Sequence, residues 1–242
     1  MNFFELVLDI IYPRQECCLN CGRTVDHPEL EGLCASCLGE IEFVDNYCSV
    51  CGREIEKRKD ICTFCRQEGR KFDLARAAAV YSGSLRYLLI KLKYYGCREF
   101  VPVLAHILEM YYLEYFSNSG IDYIIPVPLS TLRYTERGFN QASLLARWLS
   151  QKITPLYRED FLIRKQETVP LFNLGGGERR AAVKGVFAVS GDKNDLKESR
   201  VLLIDDIFTT GSTVDEASRV LKCQGRVRKV FVLTLATASL IQ

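Results

Sequence analysis

The chain has 242 residues, 48% of them hydrophobic and 26% charged, with a formal net charge of +2. That balance belongs to a folded protein of one or two domains and excludes a disordered chain. No apolar run approaches the roughly 18 residues a membrane span needs, and the first residues lack the basic start and cleavage site of a signal peptide. The expectation is a cytoplasmic chain without membrane insertion.

Phe3, Leu6, Val7 and Ile10 fall at helical spacing, and Pro13 ends that stretch. Residues 17–66 are turn-rich, and about 50 residues bury too little core to hold themselves together. Cysteine supplies the staple. Of 11 cysteines, nine lie between Cys17 and Cys65. In a reducing compartment such a cluster reads as metal rather than disulfide. Eight form the pairs Cys18/Cys21, Cys34/Cys37, Cys48/Cys51 and Cys62/Cys65, each with two residues between, and the spare Cys17 could take the place of Cys18. That spacing lets both thiolates of a pair reach one tetrahedral ion from a tight turn. Gly22 and Gly52 follow two of the pairs, where the turn needs positive φ. Four pairs make two closed four-cysteine sites, the structural kind of zinc site. Grouping in sequence order gives Cys18, Cys21, Cys34, Cys37 and then Cys48, Cys51, Cys62, Cys65; a cross-braced grouping satisfies the same spacings. Cys97 and Cys223 read as small core residues.

From Phe72 the texture changes. Strand-like runs occur at 78–81, 123–127, 186–189, 201–204 and 230–235. Helical patterns run through Phe100–Tyr115, Leu144–Leu149 and Val214–Leu221, the last with Gly225 as a stop. Strands alternating with helices predict an α/β domain with a mostly parallel sheet covered on both faces. The boundary falls between 1–71 and 72–242. The linker Thr168–Lys184 holds Gly175, Gly176 and Gly177, shows no core-facing period, and reads as a mobile functional loop. Residues 1–72 hold 9 basic and 13 acidic side chains, the remainder 23 and 17, so the positive surplus sits in the second part.

The sharpest signal is Val201-Leu-Leu-Ile-Asp205-Asp206-Ile-Phe-Thr209-Thr210-Gly211-Ser212-Thr213, followed by a helix. Two carboxylates at a strand end accept hydrogen bonds from vicinal ribose hydroxyls. The hydroxyl- and glycine-rich loop offers amides at a helix N-terminus, where the dipole favours phosphate. No Gly-x-x-x-x-Gly-Lys-Ser/Thr accompanies the acids, and Arg180 stands where a dinucleotide fingerprint needs its last glycine.

Residues 201–213 resemble the phosphoribosyl-pyrophosphate (PRPP) signature of type I phosphoribosyltransferases. With the cysteine pairs, Ile125-Pro-Val-Pro-Leu129 and Arg137-Gly-Phe-Asn-Gln141, the chain from about Phe3 to Ala238 resembles the ComF/GntX family of competence-related bacterial proteins. The resemblance implies a small zinc-ribbon domain followed by a type I phosphoribosyltransferase fold. It implies that Asp205 and Asp206 hold the ribose hydroxyls and that Thr209, Thr210, Gly211, Ser212 and Thr213 wrap the 5′-phosphate. Pro128 and Leu129 would lie in the pyrophosphate loop, with Arg133 and Arg137 adding charge. Thr168–Lys184 would be the lid, Arg179 its contact, and Mg²⁺ would arrive with PRPP. The implied reaction displaces pyrophosphate from ribose C1. The alternative is a non-catalytic PRPP- or nucleotide-binding adaptor that docks on DNA-uptake proteins such as a helicase, or binds single-stranded DNA.

Overall fold

The computed structural model describes residues 16–25, 30–56, 60–166 and 176–238. The expected helix over 3–11 and the lid segment 167–175 lie outside them.

The first part is built from short pieces. Strands β1 (Glu16–Cys17) and β2 (Thr24–Val25) pair antiparallel. Helices α1 (Ala35–Gly39) and α2 (Thr63–Glu68) begin one residue after Cys34 and Cys62, so each carries the last cysteine of its group. Gly22 and Gly52 take φ of 72° and 67°, as the pair geometry requires.

The second part begins with β3 (Leu74–Val80), α3 (Gly83–Tyr95) and α4 (Val101–Tyr115). Then come β4 (Tyr123–Pro126), α5 (Thr131–Arg137), α6 (Gln141–Ser150), β5 (Leu156–Tyr157) and β6 (Leu162–Arg164). The chain closes with α7 (Gly176–Val183), β7 (Phe187–Val189), α8 (Lys193–Leu196), β8 (Arg200–Phe208), α9 (Ser212–Gly225) and β9 (Lys229–Thr237). The main sheet has the order β3-β9-β8-β4-β5, and every pairing in it is parallel.

Alternate residues of β8 face opposite ways, and two apolar layers result. Leu202 and Ile204 pack with α3, α4 and α6; Val201 and Leu203 pack with α9. The zinc part divides between these layers. Cys18, Leu33 and Cys37 join the first, whereas Cys48, Cys51 and Cys65 join the second. Each half of the ribbon thus supplies apolar surface to one face of the sheet.

Four expectations change. The expected strand at 186–189 is present over 187–189, but β7 pairs antiparallel with β6 in a separate two-stranded sheet. The linker has a helical end, α7, whose Glu-Arg-Arg-Ala-Ala run favours helix and whose Val183 is buried. Cys223 is exposed on α9 and Cys97 is only half-buried. Gly225 is the last helical residue, and the left-handed cap falls on Arg226, with φ 54°. Among the described residues no helix is long and apolar enough to cross a membrane.

Candidate phosphoribosyl site and zinc centres

The connection β4→β5 runs toward one edge of the sheet and β8→β9 toward the other, so the order reverses between β4 and β8. In open α/β sheets ligands bind at such a switch point, beyond the carboxyl ends of the strands. The local sequence opens the crevice. β4 last pairs at Pro126 opposite Ile204, and the Val127 amide donates to the Ile204 carbonyl at 2.9 Å. Pro128 has no amide to continue the ladder. β8 runs on beside β9 as far as Phe208 opposite Thr237. Asp205 and Asp206 therefore stand beside an open edge.

A cleft of about 290 Å³ lies there. Of the residues singled out in the sequence, it brings together Pro128, Arg133, Arg137, Asp205, Asp206, Thr209 and Thr213, and it adds Lys93, Tyr94 and Arg164. Lys93 Nζ lies 2.7 Å from Asp206 Oδ2, both largely shielded from water. The Asp206 amide donates to Asp205 Oδ1 at 2.9 Å. Burial, then the neighbouring Asp206 carboxylate, push Asp205 up to about 7, against the pull of that amide and of Lys93 and Arg164. A carboxyl so tuned changes charge near neutrality.

The hydroxyl-rich turn follows directly. Gly211 takes φ 77°, and a Cβ there would lie 2.4 Å from the Phe208 ring, so glycine is required twice over. Thr210 Oγ1 and Ser212 Oγ share a hydrogen bond of 2.8 Å, and α9 starts at Ser212. Opposite, Asn140 caps α6 by accepting from the Ala142 amide and donates through Nδ2 to the Val127 carbonyl at 3.0 Å. Gln141 Oε1 accepts from Arg137 Nη1 at 3.1 Å, and the Arg137 guanidinium lies over the Tyr94 ring at 5.3 Å. Asn140 and Gln141 thus hold the two sides of the cleft mouth. Arg179 lies on α7 rather than in the cleft lining, and its side chain lies outside the described structure.

The cysteines gather in sequence order, Cys18, Cys21, Cys34, Cys37 and Cys48, Cys51, Cys62, Cys65, with the sulfurs of each group within 4.8 Å of one another. Tetrahedral zinc with Zn–S near 2.3 Å sets its sulfurs about 3.8 Å apart. Cys21 and Cys34 are 3.9 Å apart and Cys51 and Cys62 3.7 Å, so both groups fit zinc. Donors surround the sulfurs. The Cys34 amide reaches Cys18 Sγ at 3.4 Å, the Cys62 amide Cys48 Sγ at 3.3 Å, and Asn20 Nδ2 Cys37 Sγ at 3.1 Å. The Arg23 amide and guanidinium hold the Cys21 thiol down at about 6, favouring the thiolate that zinc binds. Two closed four-cysteine zinc sites follow, with no position for catalysis.

A parallel sheet of this order, with an acid pair and a phosphate-type loop at its switch point, defines a type I phosphoribosyltransferase fold, here carrying a double zinc ribbon. A family described as double zinc ribbon domain matches residues 7–66. Competence protein F of Haemophilus influenzae is 38% identical over 115 residues, 48% of this chain and 50% of that protein. The chain thus resembles the ComF family in joining a double zinc ribbon to a phosphoribosyltransferase-type fold.

DNA utilization protein YhgH of Escherichia coli O157:H7 is 30% identical over 150 residues, 61% of this chain and 65% of that one. Competence protein ComFC of Bacillus subtilis is 28% identical over 164 residues, 66% and 62%. The matches thus span from half to just under two thirds of these relatives' lengths. Among solved structures, the allosteric regulatory enzyme of purine biosynthesis superposes with a TM-score of 0.38 at 16% identity, covering 60% of this chain and 29% of that one. A hypoxanthine phosphoribosyltransferase from Staphylococcus aureus gives 0.36 at 16% identity, with 55% and 62% covered. The fold class rests on the sheet order and the switch-point motif rather than on these superpositions.

Proposed function

We propose that this competence-related protein binds PRPP with magnesium in the switch-point cleft and transfers the phosphoribosyl group to an acceptor. The observation that carries the reading is the convergence of Asp205, Asp206, Thr209 and Thr213 with Arg133, Arg137 and Arg164 around one cleft. In this reading Asp205 and Asp206 accept hydrogen bonds from the 2′ and 3′ hydroxyls. The Thr209–Thr213 turn takes the 5′-phosphate at the start of α9. The pyrophosphate lies toward Pro128, where Arg133 and Arg137 face it. The acceptor's lone pair attacks C1 as the C1–O bond to pyrophosphate breaks. The arginines stabilise the departing charge. The donor set suits magnesium, a hard ion that keeps phosphate and water oxygens, and it would neutralise pyrophosphate charge. Arg179 would reach the cleft as part of a closing lid. Release of pyrophosphate from PRPP against a panel of nitrogenous acceptors tests transfer. Saturable binding without release with any acceptor would replace the enzyme by a PRPP-binding adaptor that docks on DNA-uptake proteins.

A second reading is binding of single-stranded DNA, favoured by the outer face of α3. Tyr95 is 68% exposed there, and Lys91 Nζ lies 5.4 Å and 4.4 Å from the Tyr87 and Tyr95 ring centroids. Bases stack on such rings while cations meet the phosphates. Fluorescence anisotropy with a labelled oligonucleotide should then show affinity that falls with salt; no binding at low salt removes this reading.

A further inference from the structure

The turn read as the 5′-phosphate loop is held from behind by the second zinc ribbon. Arg53 Nη2 donates to the Thr209 carbonyl at 2.6 Å. Arg70 Nη2 donates to the Thr210 carbonyl at 3.0 Å. The same Arg70 donates through Nε to Cys65 Sγ at 3.4 Å, so one guanidinium bridges a zinc-group sulfur and the loop. Its plane is fixed by aromatic rings, with Phe64, Phe72 and Phe208 centroids at 4.2, 5.6 and 5.8 Å. Arg53 follows Gly52 directly, and its carbonyl accepts from the Cys48 amide at 2.8 Å. Both arginines therefore leave segments next to the second cysteine group, whose shape a zinc bound there would fix. The Lys71 amide also donates to Asp215 Oδ1 at 2.6 Å, in the first turn of α9.

Peptide geometry gives these bonds a consequence. In a trans peptide the carbonyl of one residue and the amide of the next point in opposite directions. The chain has no cis peptide among its described residues. Drawing the Thr209 and Thr210 carbonyls toward the ribbon therefore turns the Thr210 and Gly211 amides away from it. A phosphate cradle needs amides so turned. Guanidinium donors on the carbonyl side also favour an anion on the amide side.

We propose that Arg53 and Arg70 are positioning residues, through which the second zinc ribbon sets the shape of the 5′-phosphate loop. The ligand in this proposal rests on the phosphoribosyl reading above; the effect on loop shape does not. The ribbon is then part of how the cleft is preorganised, and loss of its metal loosens the loop.

The full-length protein and its Arg53→Met, Arg70→Met and double variants test this, each with its zinc content measured. Amide exchange over residues 209–213, read by peptide mass spectrometry, should quicken about tenfold or more in the double variant. Affinity for ribose 5-phosphate should fall by about 10-fold or more in calorimetry. Arg53→Lys should restore most of what Arg53→Met loses, because Arg53 gives the loop a single bond. Arg70→Lys should not, because one ammonium lacks the fork that reaches sulfur and carbonyl together. Arg53→Met with two zincs and wild-type exchange overturns the role of Arg53, whatever happens to the metal in the Arg70 variants. Wild-type exchange and affinity in a double variant that keeps two zincs overturns the proposal altogether. A wild type that binds no ribose 5-phosphate, beside variants whose loop exchanges faster, removes the ligand reading and leaves the positioning role standing.

Discussion

Lys93 and Asp206 form an ion pair of 2.7 Å across the cleft, α3 supplying the ammonium and β8 the carboxylate. The same helix is tied at its start to the first zinc ribbon. Asn20 Nδ2 donates to Ser84 Oγ at 2.8 Å, and Ser84 Oγ donates to Glu40 Oε2 at 2.6 Å. Lys93 thus reaches the switch point from a well-anchored element. Lys93→Met leaves two adjacent carboxylates without their nearest cation. Breaking a shielded pair from one side is costly, so thermal unfolding at pH 8 should show a loss of about 1–3 kcal/mol.

Asp205 gives the cleft a pH dependence. Its pKa is raised from 3.8 to about 7, so the folded state holds a proton that the unfolded chain has released. Stability from this group is therefore present below about 4 and lost as pH climbs toward 7. Asp205→Asn removes the strained charge. It should raise stability at pH 8 by about 1–3 kcal/mol, and by only about half as much at pH 5.5, midway through that window. Equal effects at both pH values in thermal melts would contradict the assignment. The ionised form is the better acceptor for ribose hydroxyls, so PRPP affinity in the wild type should strengthen between pH 6 and pH 8, with a flatter slope in Asp205→Asn.

Gly211→Ala tests the loop. The added methyl meets the Phe208 ring, and the backbone there has φ 77°. The left-handed conformation alone costs an L-residue about 1–2 kcal/mol. Circular dichroism should report a protein that still folds with a lowered melting temperature, and calorimetry should find ribose 5-phosphate affinity reduced about tenfold or more.

Cys48→Ser tests the metal assignment. Cys48 is fully buried, and the second zinc group shares an apolar layer with Phe72, Ala75 and Val214. Structural zinc contributes about 10–16 kcal/mol of folding free energy in small ribbons. The variant should keep one zinc per chain and expose apolar surface to a hydrophobic dye. Two zincs per chain would contradict the ligand set.

The zinc groups were legible because the Cys-x-x-Cys spacing is local chemistry; only their grouping needed the fold. The acid pair and the turn after it were legible for the same reason, being one contiguous stretch. Lys93, Arg164, Arg53 and Arg70 were not. Each reaches the cleft or loop from a distant element, and nothing near Lys93 in sequence separates it from Lys91, which turns instead to the Tyr87 and Tyr95 rings. The α3 pattern of Leu85, Leu88, Leu89 and Leu92 was blurred by Tyr87, Tyr94 and Tyr95, aromatics on the exposed face. Residues 176–183 read as loop because the glycine run 175–177 leads into them. Their helix is stabilised from outside, by Arg180 pairing with Glu68 and lying over the Phe64 ring at 4.7 Å.

Calorimetric titration of the intact protein with PRPP and magnesium, beside the Asp205→Asn/Asp206→Asn double variant, tests the central claim most directly. The account predicts saturable one-to-one binding by the wild type and an affinity at least about tenfold weaker in the folded, zinc-loaded variant. No heat from the wild type, or equal affinity in both proteins, would contradict it.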